Sequence, residues 1–419
     1  MKNYAKVAAL LGLSAVTLSA SGYRIPEQSI DATALSAAYV ANANGADASY
    51  YNPANMSFMD NGAFMELGLT HIGLSKINFT DNGSATKAGM PGSDASSKKE
   101  TFLAPTFHYV SPAVNNWRFG LSFVAPGGLS KRWETSYQKA SAEEFTLKVL
   151  ELNPTASYLL NDKVSVGFGF RGVYTDGVVK SDATGASSTA PIRNLTGDSI
   201  DYGYNLALSY RPIENLTLSS TYRSKVDLTI EGKADLIYTG TGTNLKGVDA
   251  SVTVPLPAAL ALAAAYTINK TTIEFVYDRT YWSAYKQLDF NYGVALSTAG
   301  GAASADSAFN APRDKNWKDV NAYRIGVTHQ YSDKLKLMAG FAIDKNPVPD
   351  STLGFELPDS DAKLYSVGFD YKVNDKTTLG LAYLYDDKKT RSVSQTSGIK
   401  GDFKDASAQL ITASFKYKF

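Results

Sequence analysis

Cysteine is absent from the 419-residue chain. That excludes a disulfide framework, thiolate chemistry and any cysteine-bound metal. Histidine is scarce too, with only His71, His108 and His329. A hydrolase barrel needs histidine beside serine or an acid near its outer rim. None of the three lies in a Gly-x-Ser-x-Gly context, so the expectation is no enzyme, with no catalytic residue, metal or cofactor. A charge excess is also missing, since 41 basic residues face 40 acidic ones. No basic field is available for phosphates, so nucleic acid is not an expected partner. Beyond the first twenty residues, no apolar run approaches the roughly 20 residues of a helical membrane span.

What the chain has instead is alternation. Ile411, Ala413, Phe415, Tyr417 and Phe419 share one side of the closing segment, and Thr412, Ser414, Lys416 and Lys418 share the other. A period of two is the strand repeat. An aromatic terminal strand left bare in water invites edge pairing. A transmembrane barrel resolves this, because lipid solvates the outer face and closure pairs both edges. The same pattern recurs at Trp117–Phe123, Tyr323–Tyr331, Leu335–Asp344 and Tyr365–Lys372, and 26 tyrosines suit the girdles of a barrel wall.

Residues 1–20 read as a secretory signal peptide. Lys2 and Lys6 open it, Val7 to Leu18 is apolar, and Ser19-Ala20-Ser21 offers cleavage after Ala20. Short turns follow at 113–116, 161–163, 212–215, 269–270, 332–334 and 374–376, rich in Asn, Asp and Pro. They alternate with long polar segments at 80–98, 125–148, 176–198, 232–250, 289–318, 346–362 and 390–405. Tight turns on one rim and long loops on the other are the pattern of a bacterial outer-membrane barrel. The count gives an all-β fold, a 14-stranded antiparallel transmembrane β-barrel over residues 62–419. Its first strand, near residues 63–77, is expected to pair with its last.

Residues 21–61 do not alternate. A short helix is expected from Ser29 or Asp31, and a second at Asn52-Pro53-Ala54, where Asn caps and Pro starts a helix well. A barrel of this width encloses either an aqueous channel or a plug. We expect residues 21–61 to form an N-terminal hatch inside the lumen.

The leader, Ser21-Gly22-Tyr23-Arg24-Ile25, the Asn52-Pro53-Ala54 hatch motif and fourteen strands together resemble the FadL family of long-chain fatty acid transporters. The likeness continues through Leu152–Tyr158, Asn161–Gly167, Val254-Pro255-Leu256-Pro257, Tyr281-Trp282-Ser283, Trp317–Tyr331, Gly340–Asp344, Pro347-Val348-Pro349 and Leu357-Pro358-Asp359. It implies an outer-membrane channel taking up long-chain fatty acids or similar hydrophobic molecules by passive diffusion. Extracellular loops would capture the ligand, the hatch would rearrange, and a gap near the third strand would release it sideways. It also implies that Gly22 and Tyr23 reach into the lumen as an N-terminal gate.

Candidate parts follow. Pro126, Gly127 and Gly128 cannot sustain a ladder, so they mark a break in strand three. Leu129, Lys131, Arg132 and Trp133 come next, then a helical-looking stretch, Glu134 to Leu150, that carries Phe145, Leu147 and Leu150. These are the candidate capture residues. Lys131 and Arg132 either meet a carboxylate or contact lipopolysaccharide phosphates. By alternation Arg118, Arg171 and Arg324 face the lumen, together with Arg211, Arg223, Glu274, Asp278 and Asp344. They are candidates to line a path, although such charges more often pair across a barrel or hold a plug. Terminal Phe419 resembles the aromatic that outer-membrane assembly machinery recognises. The expected partners are that machinery, outer-membrane lipid and lipopolysaccharide, and a hydrophobic ligand, with the chain acting as a monomer. A hydrocarbon channel of the same fold and a general diffusion porin are the alternatives.

Overall fold

The computed structural model describes residues 22–297 and 304–419; the leader over residues 1–20 lies outside the described residues. Fourteen antiparallel strands close into a barrel. They are β1 (Phe64–Leu74), β2 (Glu100–Val110), β3 (Trp117–Arg132), β4 (Glu144–Asn161), β5 (Val164–Asp182) and β6 (Ile192–Ile213). β7 runs in two pieces, Leu216–Arg223 and Val226–Tyr238, and β8 in two more, Thr243–Leu256 and Ala259–Ile268. β9 (Thr271–Thr280), β10 (Val320–Gln330), β11 (Leu335–Asp344), β12 (Ala362–Lys372), β13 (Thr377–Lys388) and β14 (Ser407–Lys418) complete the wall.

Closure is made by β1 and β14, with Leu67 opposite Phe415 and Thr70 opposite Thr412. No strand edge is left at this seam for another chain to pair with. Phe415, Ile411, Leu67 and Leu69 point outward and are exposed, while Thr412 and Thr70 are buried inside. The outward band of Tyr202, Tyr204, Leu206, Leu208, Phe168 and Phe170 is likewise exposed. That apolar exterior is what lipid requires. Phe419 is exposed, stacks edge-on to Tyr417 at 4.9 Å and donates its N–H to Ala63 O at 3.0 Å. No helix among the described residues is long and apolar enough to cross a membrane.

Two expectations about the long connections need correction. The stretch from Glu134 to Leu150 is helical only at Ser136–Ala142; Glu144 onward is strand β4. Alternating Phe145, Leu147 and Val149 pair with β3 and β5, and this ladder overrides the local helix propensity. The Gly- and Thr-rich stretches around 125–132, 176–182, 192–198 and 232–250 are also largely strand. β3 to β6 run for 16 to 22 residues. A tilted span needs only about 9–11. The excess raises the wall beyond the lipid, so loops read from composition become sheet.

Residues 22–56 fill the lumen and are mostly buried. Ser29 caps α1 (Ile30–Ala34), its hydroxyl accepting from Ala32 N at 3.3 Å. Helix α1 stops where Ser36 and Ala37 take positive φ of 50° and 58°. Helix α2 (Ala48–Tyr51) leads into a 3-10 turn, Pro53–Phe58, with Pro53 at its start and Asn52 as its capping position. The wall makes room for this segment. A Cβ at Gly340 would lie 2.1 Å from the Leu35 carbonyl carbon, and one at Gly167 2.5 Å from Ala54 N.

Candidate functional site: an apolar chamber and an interrupted wall

The half of the lumen under the long loops holds a narrow apolar chamber. The strands supply Leu129, Phe145, Leu147, Val179, Leu195, Ile230, Val252 and Val254. The loop between β9 and β10 adds Tyr285, Leu288, Phe290 and Trp317, and the loop after β11 adds Val348 and Leu357. Tyr23 enters from the N-terminal segment. Its ring meets Trp282 edge-on at 4.6 Å and lies 5.8 Å from Trp317, and its hydroxyl donates to Pro255 O at 2.5 Å. Burial pushes that phenol's pKa well above its ordinary value. Gly22 permits the approach. Its φ is +65°, and a Cβ would fall 2.7 Å from Trp282 and 2.8 Å from Trp317. Its N–H donates to Asp359 Oδ2 at 3.1 Å, tying the segment to the loop after β11.

The chamber's charged lining is a pair, Lys315 and Glu356. Burial raises the Glu356 carboxyl, but the Lys315 ammonium outweighs it and holds the group down at about 2. The pair is neutral overall, so the chamber presents apolar surface without a free charge.

Below the chamber the wall is interrupted. β2 and β3 pair only from Phe107 to Val110, opposite Phe123 to Gly120. Further out, β3 leaves β2 and follows β4, with one extra residue between Val124 and Gly127. Pro105 and Pro126 stand on the two separated stretches, and neither has an N–H to offer a ladder. The strands meet again where Lys98 N donates to Arg132 O at 2.9 Å. Between these points the inner edge of β3 is taken by the N-terminal segment. Ile25 N donates to Pro126 O and Gly128 N to Tyr23 O, both at 2.9 Å, and the Gln28 side chain bonds both polar groups of Ala125. Phe102, Ala104, Ala125 and Ile25 belong to an apolar cluster that continues over Ile72, Leu364, Leu384 and Leu410. A second interruption, between β6 and β7, is filled: Ser224 N donates to Tyr204 O at 2.9 Å, and Gly203 lies against Val226.

The hatch is fixed by charge. Asp31 is gripped by Lys336 and Lys416, and Asp370 takes both lysines at 2.7 and 2.8 Å. Burial raises the Asp31 carboxyl, yet the two ammonium groups outweigh it and hold it below the carboxylate range. Asp31, Asp47 and Glu66 bring their oxygens within 4.8 Å of one another. The two lysines supply the positive charge that a metal would bring. Glu274 accepts from Val40 N, Ala41 N and Asn42 N at 2.7, 2.6 and 3.1 Å.

A model of the family described as "Outer membrane protein transport protein (OMPP1/FadL/TodX)" matches residues 11–419. The chain belongs to this OMPP1/FadL/TodX family. It is a non-enzymatic outer-membrane transport protein of bacteria. It is 24% identical to the long-chain fatty acid transport protein of Escherichia coli K12, covering 88% of this chain and 87% of that one. The crystal structure of a Pseudomonas aeruginosa FadL homologue superposes with a TM-score of 0.81 at 18% identity, covering 95% of this chain and all of that one. The Pseudomonas putida toluene transporter TodX gives 0.65 at 19% identity, covering 97% and 99%. At such identities the two structures establish the fold.

Within this FadL-type barrel the expected site residues separate. Leu129, Phe145 and Leu147 line the chamber, whereas Leu150 packs half-buried against the cluster of Ile25 and Phe102. Trp133 is buried without lining the chamber and donates Nε1–H to Phe355 O at 2.9 Å, anchoring the loop after β11. Lys131 and Arg132 do not act together, because neighbours on a strand point oppositely. Lys131 is buried, and Arg132 faces outward and pairs with Glu144 at 3.1 Å. The arginines hold other groups. Arg118 donates to Met56 O at 2.9 Å, Arg171 pairs with Glu151 at 2.9 Å, and Arg324 pairs with Asp344 at 3.2 Å. Asn52 reaches Val40 O and Ser209 Oγ, each at 2.9 Å. The sequence reading missed Tyr285, Lys315, Glu356 and the Asp31 cluster. The aromatics of 281–317 were its available signal, in a loop otherwise rich in Gly, Ala and Ser.

Proposed function

We propose that this chain carries hydrophobic molecules, long-chain fatty acids foremost, from the cell exterior into the outer membrane by passive diffusion. Lipopolysaccharide resists apolar solutes, and an aqueous pore gives an acyl chain no dry path. A protein route must shield the chain and then release it into lipid. The observation that carries this reading is the interrupted β2–β3 wall beside a lumen-facing apolar cluster. A porin lumen is polar; here Phe102, Ile72, Leu364 and Leu410 face inward.

The route has three parts. The ligand enters the chamber against Tyr23 and Trp317. Displacement of the Tyr23–Ile25 segment then frees the inner edge of β3. Finally the ligand passes over Phe102 and Ala104 and leaves between β2 and β3. No energy source is needed, because lipid accepts the ligand down its gradient. A hydrocarbon cargo is the second reading, favoured by the internal neutrality of Lys315 and Glu356. Uptake of oleate, an alkane and toluene in cells lacking their own transporter tests the proposal. Acceleration of at least oleate is expected. If none is accelerated, hydrophobic transport is wrong for this chain.

A further inference from the structure

The ladder between β2 and β3 stops at a definable position. Ser111 N donates to Phe119 O at 2.8 Å, and Phe107 stands opposite Phe123. In an antiparallel pair, residues facing each other with N–H and C=O recur every second position. Counting on in twos from Ser111 and Phe119, the next such pair beyond Phe107 and Phe123 is Pro105 and Ala125. Proline has no N–H, so the Ala125 carbonyl would find no donor there. Gln28 supplies what is missing. Its Oε1 accepts from Ala125 N at 2.8 Å, and its Nε2 donates to Ala125 O at 2.9 Å. The same Nε2 donates to Ile25 O at 3.1 Å, which folds the N-terminal segment back over the gap. Gln28 is itself gripped from two sides. Its N–H donates to the hydroxyl of Tyr51 in α2, which donates to Pro26 O at 2.8 Å, and its carbonyl lies 2.9 Å from His108 Nε2 on β2.

We propose that Gln28 is the positioning residue of the lateral gate: its carboxamide replaces the ladder partner that Pro105 cannot be, and so holds the N-terminal segment across the gap between β2 and β3. The inference deepens the hydrophobic-transport reading and rests on its exit between these strands. The role calls for a carboxamide, because one donor and one acceptor on neighbouring atoms match both polar groups of Ala125. A buried carbonyl left without a donor is costly, so the closed gate depends on this side chain. Cargo that lifts the Tyr23–Ile25 segment must also break the Gln28 contacts before the edge of β3 is free. Tyr51 gives the hatch a handle on the same residue, so movement of α2 pulls on the latch.

The test uses the absence of cysteine. Ala104 is buried in one cluster with Ile25 and Ala125, so Ala104→Cys gives a single thiol behind the gate. Its rate of labelling by N-ethylmaleimide in lipid nanodiscs reads gate opening. Gln28→Glu keeps the shape but, ionised at pH 8, has no donor for Ala125 O; protonated at pH 5, it regains one. Relative to Ala104→Cys alone at the same pH, Gln28→Glu is expected to label about tenfold faster at pH 8, as loss of a hydrogen bond would give. At pH 5 the excess should fall to about twofold or less, because the acid can donate again. Gln28→Met, with no donor at either pH, should stay fast at both. Every protein compared carries Glu27 and His108, so the ratio isolates position 28. Equal labelling at pH 8 overturns the proposal. So does an excess in Gln28→Glu that persists undiminished at pH 5, which would mark lost packing instead of a lost donor. Oleate should quicken labelling of Ala104→Cys itself. If it does not while the variants behave as expected, the latch stands and the hydrophobic cargo is refuted. Heat-dependent mobility in gels checks that each variant has closed its barrel.

Discussion

Asp31, in the first turn of the hatch helix, is bound by Lys416 of the closing strand across 385 residues of sequence. Lys336 from β11 takes the other carboxylate oxygen. The strand that seals the barrel thus also holds what fills it. Removing the Asp31 charge takes the hatch out of this cluster, while both lysines keep Asp370 as a partner. Asp31→Asn should therefore loosen the hatch while leaving the wall closed. Ion conductance in planar bilayers is expected to rise, approaching that of a protein lacking residues 24–58. Conductance equal to the unaltered protein's would show that the cluster does not hold the hatch.

Hatch docking is expected to depend on pH through Glu27. Burial lifts its carboxyl from 4.5 to about 7, against the pull of Arg324 and Arg24, with Asp344 adding to the rise. Between these values the docked hatch holds a proton that the released hatch gives up. Stability is then fully present below pH 4.5 and falls as pH rises to about 7. Asp47, lifted to about 6 by burial and by Asp31, acts in the same direction. Channel-opening events should increase from pH 5.0 to 7.5, and Glu27→Gln should reduce that slope. An unchanged slope in the variant would remove Glu27 from the account.

Gly22 has two reasons to be glycine. Left-handed backbone costs other residues roughly 1–2 kcal/mol. Any Cβ there also meets two tryptophan rings at under 3 Å. Gly22→Ala should push Tyr23 off Trp282, shift tryptophan emission to the red and weaken oleate binding. Tyr23→Phe keeps the ring contacts and loses only the bond to Pro255 O, so it should bind nearly normally. Equal behaviour of the two variants would mean that ring packing here is not what shapes the chamber.

The wall was readable because lipid on one side and lumen on the other enforce a period of two; Phe415 and Thr412 fall on opposite faces as their alternation requires. The hatch helices were readable from Ser29 and Pro53, whose effects are local. What could not be read was pairing across long separations. Lys131 and Arg132 look alike in sequence, and only the continuation of β3 past the expected break sends one inward and the other to Glu144. Asp31 gave no sign of its lysines, which lie in strands more than three hundred residues away. Lys315 sits in a weakly patterned loop, and its neutralisation by Glu356 depends on how two loops fold together.

Lateral release depends on the interrupted wall between β2 and β3. Deleting Pro126 removes the one extra residue between Val124 and Gly127, letting β3 regain a regular register with β4 and approach β2. The direct measurement is oleate uptake by cells producing this deletion, beside oleate binding by the purified protein. The prediction is retained binding with uptake reduced to that of cells without the transporter. A correctly folded deletion that takes up oleate at the unaltered rate would contradict lateral release between β2 and β3.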